Sequence, residues 1–102
     1  MRKNCQEVVR AWERGQACHK TPSIWTDGER IMSYGTCILQ NVGGQLYLNR
    51  TRYSVTTTIH QNALAAYFGD RVIEIDRVPL GARHLRFYTQ NRRADEAVAQ
   101  DA

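Results

Sequence analysis

At 102 residues the chain is long enough for one hydrophobic core and too short for two. Its composition, 42% hydrophobic and 24% charged, is that of a globular protein, so disorder is not the default. The net charge of +4 is a modest basic excess that suits a nucleic-acid or acidic-protein partner without demanding one, and no apolar run approaches the roughly 18 residues that span a bilayer.

In chain order, the first expected element is a short amphipathic helix. Asn4 and Glu7 have the spacing of a capping box, and Gly15 is placed to stop the helix. Cys5, Val8, Val9 and Trp12 fall on one face, suited to covering a sheet. Glu7, Arg10, Glu13 and Arg14 interrupt any signal-type apolar core, so a cytoplasmic location is expected. Pro22 closes a loop that runs from Gln16 to Ser23.

Three strands follow in an antiparallel meander. Asp27-Gly28 between apolar flanks predicts a tight type I′ hairpin. The next strand is expected to run unbroken from about Arg30 to Gln40, with Gly35 marking a bulge or a close backbone approach. Asn41 to Gly44 is a turn, and Gln45 to Arg50 is the third strand, with Leu46 and Leu48 on one face and Tyr47 and Asn49 on the other.

The densest signals lie between Tyr53 and Gly69. Val55 to Thr58 are β-branched and favour an extended backbone. Thr58 with Gln61 matches a capping box, so the helix is expected to begin there. Ile59, Ala63, Ala66 and Tyr67 then give one apolar face, and Gly69 ends the helix. Beyond it, Arg71 to Ile75 reads as a fourth strand. Ala82 to Tyr88 carries a weak helical pattern, and residues 91–102 an Ala-rich, acidic tail expected to fray.

These elements predict one α+β domain over residues 1–102: an antiparallel sheet of about four strands with two helices on one face. Two stretches within it, Ser33-Tyr34-Gly35-Thr36 and Tyr53-Ser54-Val55-Thr56-Thr57-Thr58-Ile59-His60-Gln61-Asn62, resemble a small domain of unknown function common in phage and prophage genes. The resemblance spans roughly Trp25 to Phe68 and makes Tyr34, Ser54, Thr57, Thr58, His60 and Gln61 its structural motif. It implies phage origin and a bacterial host cell. It carries over no reaction.

Each chemistry-bearing residue also has a simpler role open to it. Cys5, Cys18 and Cys37 lack zinc-type spacing and read as free thiols, and Cys18-His19 has no further ligands, so no metal or cofactor is expected. His60 reads as a packed histidine bonded to backbone or to Ser54. As a general base it would need Ser54, Thr57 or Cys37 as nucleophile, and no local carboxylate orients it. The acidic residues are scattered, and Gly43-Gly44 lacks the Lys-Ser/Thr of a phosphate loop. Arginine beside aromatics is more suggestive. Arg50, Arg52 and Tyr53 precede the central helix, and Arg83, Arg86, Tyr88, Arg92 and Arg93 follow Pro79. Such residues serve phosphate contact with base stacking, or pack as stems over a core edge.

The expectation is therefore a non-enzymatic, phage-type accessory protein whose partner-binding residues are those arginines and tyrosines. Its partner is nucleic acid or a host nucleoprotein, as for a defence-complex inhibitor of the anti-CRISPR type. The alternatives are a small His60-centred hydrolase or nuclease, and a structural homodimer built on an exposed strand edge.

Overall fold

The computed structural model describes residues 1–93, and the rest of the tail expected to fray lies outside the described residues. The fold is α+β. Five strands, β1 (Trp25–Thr26), β2 (Arg30–Ser33), β3 (Thr36–Val42), β4 (Gln45–Asn49) and β5 (Val72–Ile75), form one sheet in sequence order. Helices α1 (Lys3–Glu13) and α2 (Val55–Phe68) pack on one face of it.

The expected long strand from Arg30 to Gln40 is a hairpin. Ser33 pairs with Thr36, and Tyr34-Gly35 is the two-residue turn between β2 and β3. The left-handed residue there is Tyr34, with φ 53°, an unusual conformation for a side chain of its size. This turn is why the sheet has five strands rather than four. The irregularity expected at Gly35 falls instead between Ile31 and Met32, where Ile38 has no partner across the ladder. The bulge turns both Ile38 and Leu39 toward the helices, while Met32 and Cys37 face the other way.

The Asp27-Gly28 connection is longer than a type I′ turn, since Thr26 pairs with Ile31. The Asp27 carboxylate accepts from the N–H groups of Glu29 (3.0 Å) and Arg30 (2.9 Å) and is paired with the Arg30 guanidinium. The type I′ geometry occurs at Gly43-Gly44, where both residues have positive φ.

The sheet is mixed, not antiparallel throughout, because β5 runs parallel to β4. The cause is α2, which carries the chain back along the sheet before β5 begins. It starts one turn earlier than expected. Ser54 is its N-cap, accepting from the Thr57 N–H at 3.2 Å, so Val55 to Thr58 form the first helical turn and not a strand end. Thr58 does not cap: its hydroxyl donates back to the Ser54 carbonyl at 2.9 Å. Gln61 does not reach back either. It is buried, and its Nε2 donates to the carbonyls of Asn49 (2.7 Å) and Thr51 (2.9 Å), fastening α2 to the chain leaving β4. The buried face is accordingly Thr57, His60, Gln61, Leu64 and Phe68, while Ala66 and Tyr67 are exposed. Gly69, with φ 57°, ends the helix as expected. In α1 the expected Asn4 cap is replaced by Arg2, which makes no side-chain capping bond.

Two apolar clusters flank the sheet. On the helix side Cys5, Val8, Val9, Ile31, Ile38, Leu39, Leu48, Leu64 and Phe68 pack together. On the other side Met32, Cys37, Ile75, Val78 and Leu85 are covered by the segment after β5. That segment is irregular rather than helical at Ala82 to Tyr88. It is held by polar bonds: Cys37 N–H to Ala82 O, Gly81 N–H to Thr36 Oγ1, and Leu85 N–H to Gln40 Oε1. Buried Asn49 donates to Cys37 O and to the Tyr53 hydroxyl, which donates to Val78 O at 2.6 Å. These bonds fix the chain between β4 and α2 from both sides. Among the described residues, no helix is long and apolar enough to cross a membrane.

Candidate functional site

The segment Arg50 to Ser54 and the first turns of α2 border three linked hollows. The first, about 370 Å³, lies between the β2–β3 turn and the start of α2. Ser33, Tyr34 and Thr36 line one side, Tyr53, Ser54, Thr56 and Thr57 the other, and the exposed Leu80 adds an apolar wall. It thus brings together the two separated sequence elements, through a hydroxyl chain. Ser33 Oγ lies 2.8 Å from Thr57 Oγ1, which accepts from Ser54 Oγ at 3.1 Å. The second hollow, about 330 Å³, shares Tyr53 and Ser54 with the first and adds Arg52, Val55, Thr58 and Ile59. The third, about 160 Å³, shares Arg52 and Thr58 with the second and is completed by Arg50, Gln61, Asn62 and Arg93. Shared lining residues set the three hollows side by side in a row, the groove, with hydroxyls and tyrosines at one end and guanidinium groups at the other.

The arginine end gathers the side chains of Arg50, Arg52 and Arg93. Arg50 is bound to α2, donating to Gln61 O at 3.0 Å and Asn62 Oδ1 at 2.9 Å. Arg93 is paired with Glu74 at 2.9 Å. Arg52 is exposed and makes no hydrogen bond or ion pair among the described residues. Arg52, shared by the second and third hollows, is the guanidinium placed to meet an anion.

The predicted partner-binding residues do not form one surface. Arg50, Arg52, Tyr53 and Arg93 lie along the groove. Arg83, Arg86 and Tyr88 belong to the segment covering the opposite face of the sheet: the Arg83 carbonyl accepts from Arg30, Arg86 sits over the exposed Phe87 ring, and Tyr88 packs against the second apolar cluster. Exposed Arg92 bridges to Ile75 at the edge of β5. Ser33, Thr36, Val55, Thr56, Ile59, Asn62 and Leu80 are further wall residues that were not expected as site residues. The Ser33-Tyr34-Gly35-Thr36 element was the signal for the first two, hidden by its assignment to a strand interior. Leu80 carries no sequence signal.

His60 is buried, as expected, but its partner is not Ser54. Neither ring nitrogen has a hydrogen-bond partner among the described residues. Burial pushes its pKa down, and the charge of Arg2 adds to the effect. Ser54 Oγ is bonded to Thr57 Oγ1, which is bonded in turn to Ser33 Oγ, and neither is bonded to the imidazole. Cys37 lies in the cluster on the other face of the sheet, and burial pushes its thiol up to about 12, the reverse of an activated thiolate. Among the described residues no His, Cys, Asp and Glu cluster could hold a metal ion.

Both outer strands are partly covered. Cys18 bridges to Thr26 in β1, while Arg92 and Arg93 run along β5, with Arg93 N–H donating to Glu74 O at 3.1 Å. The free edge required for strand-to-strand dimerisation is correspondingly short.

In comparisons with known proteins, no family model, no curated protein and no solved structure matches the chain. The resemblance to a phage domain therefore rests on the two sequence elements and on nothing wider.

Proposed function

We propose that this protein acts without catalysis, by binding nucleic acid through the groove between the β2–β3 turn, α2 and the chain leaving β4. The observation that carries this reading is the arginine hollow. Arg50, Arg52 and Arg93 surround one concavity whose other walls, Thr58, Gln61 and Asn62, are uncharged and polar. Arg50 and Arg93 are held in place by neighbours, and Arg52 is left available for a phosphate. The tyrosines farther along supply the aromatic component that phosphate contacts alone lack. Following the phage resemblance, the setting is the cytoplasm of a bacterial host, and the nucleic acid is free or carried by a host nucleoprotein such as a defence complex.

The test is binding of a labelled oligonucleotide followed by fluorescence anisotropy across a salt series. Affinity should fall with a log–log slope of roughly −0.7 to −0.9 per neutralised phosphate. Arg52→Gln should flatten that slope by about one contact and leave the thermal melt unchanged. No binding at low salt, or an unchanged slope in the variant, overturns the reading.

A further inference from the structure

We infer that the groove takes its nucleic acid single-stranded, with a base stacked on Tyr34. This deepens the function proposed above and rests on it.

Tyr34 is presented, not packed. The residue is 50% exposed on the wall of the first hollow. Its backbone is pinned on both sides: its N–H donates to Pro22 O at 2.8 Å, and its carbonyl accepts from Trp25 Nε1 at 2.8 Å. The backbone that carries the ring is thus fixed, which lowers the conformational cost of binding a flat partner. The residue keeps a left-handed φ of 53° although it is half open to solvent, so packing does not account for a tyrosine at this turn.

The surroundings suit a base. Leu80, 78% exposed, forms an apolar wall of the same hollow. The hydroxyls of Thr56 and Ser54 on the facing wall can each donate or accept. Such groups tolerate the edges of different bases, which predicts weak sequence preference. Two further hollows adjoin this one in turn, the first sharing Tyr53 and Ser54 with it and the second sharing Arg52 and Thr58 with the first, so a strand lying along the row meets stacking and then phosphate contact. A duplex keeps its bases stacked inside and offers its groove edges to elements that project into it. Here the hollow and the arginine walls are recessed and receive rather than project, and only a single strand can turn a base outward into them.

The experiment compares a single-stranded oligonucleotide with the duplex of the same sequence, using the parent, Tyr34→Phe, Tyr34→Ala, Tyr34→Asn and Arg52→Gln. Asn is included because it accepts a left-handed backbone without a ring, so a loss shared by Ala and Asn is not backbone strain. The single strand should bind the parent at least roughly tenfold tighter than the duplex. Tyr34→Ala and Tyr34→Asn should each weaken it by about tenfold, the contribution of one stacked base, with the salt slope unchanged, and Tyr34→Phe should stay near the parent. Equal affinity for duplex and single strand, or parent-like binding by the Ala and Asn variants, overturns the inference. If those results come with a flattened slope in Arg52→Gln, the proposed function survives alone. If Arg52→Gln also binds as the parent does, both fall.

Discussion

Ser33 Oγ and Thr57 Oγ1 lie 2.8 Å apart and are both buried, so one hydroxyl pair joins the β2–β3 hairpin to the first turn of α2. Thr57 also accepts from Ser54 Oγ while its own N–H donates to that oxygen. The floor of the groove is thus a closed polar unit, in which removing one member strands the others.

Thr57→Val should therefore destabilise the protein by about 1–3 kcal/mol, the cost of leaving a buried hydroxyl unpaired. Ser33→Ala should cost less, because Thr57 keeps Ser54. The double variant should fall short of the sum, giving a coupling energy of at least about 0.5 kcal/mol. Urea unfolding of the four proteins measures it. Strict additivity would mean the two hydroxyls do not interact.

The cap gives a sharper contrast. Ser54→Ala should cost about 0.5–2 kcal/mol, since it removes the acceptor of the Thr57 N–H. Thr58→Ala should cost less, because the Thr58 hydroxyl only back-bonds to the Ser54 carbonyl, which already receives the Thr58 N–H. Thermal melts rank the two. The reverse order would return the cap to Thr58 and shorten the helix.

That contrast shows what was legible in the sequence. The period-two pattern of Leu46, Tyr47, Leu48 and Asn49 placed the two faces of β4 correctly, because a strand's alternation depends on neighbours in the chain. The helix start was misread because Ser54 and Thr58 are both competent caps. Burial of Gln61 against Asn49 and Thr51 decides between them, and that contact is not local. Tyr34 was placed inside a strand because a bulky residue seldom takes positive φ, and only the Pro22 and Trp25 bonds reveal what holds it there. The arginines were legible as a class but not as a surface. Whether Arg52 and Arg83 share a face depends on which side of the sheet the chain takes after β5.

Gly28 should tolerate no side chain. Its φ is 101°, and an added Cβ would stand 2.7 Å from the Gly15 carbonyl oxygen, where backbone, not a flexible side chain, blocks it. Gly28→Ala should cost more than the roughly 1–3 kcal/mol of an unfavourable φ alone. Gly43→Ala, at a φ of 62° with open space around it, isolates the conformational part and should cost less. Equal losses would show that the contact with Gly15 relaxes freely.

His60 should make the fold acid-sensitive. Its ring is 4% exposed, neither nitrogen has a hydrogen-bond partner among the described residues, and the nearby charge it feels, Arg2, is of the sign that opposes protonation. Burial first and Arg2 second hold its pKa below the ordinary value of 6.5. The sign follows from proton counting. Well above pH 6.5 the imidazole is neutral in both states, and it adds no pH dependence to stability. As pH falls through that value the unfolded chain takes up a proton that the folded one refuses. The unfolded state is favoured, and stability drops with a slope of at most about 1.4 kcal/mol per pH unit until the folded value is reached. Urea unfolding from about pH 8 to pH 5 should show this loss in the parent. His60→Leu, of similar bulk and with no proton to bind, should lack that contribution, so that the parent loses stability relative to the variant as the solution is acidified. Parallel curves for the two proteins would mean that the folded state protonates His60 as readily as the unfolded chain does, and that the ring reaches water or a partner in solution.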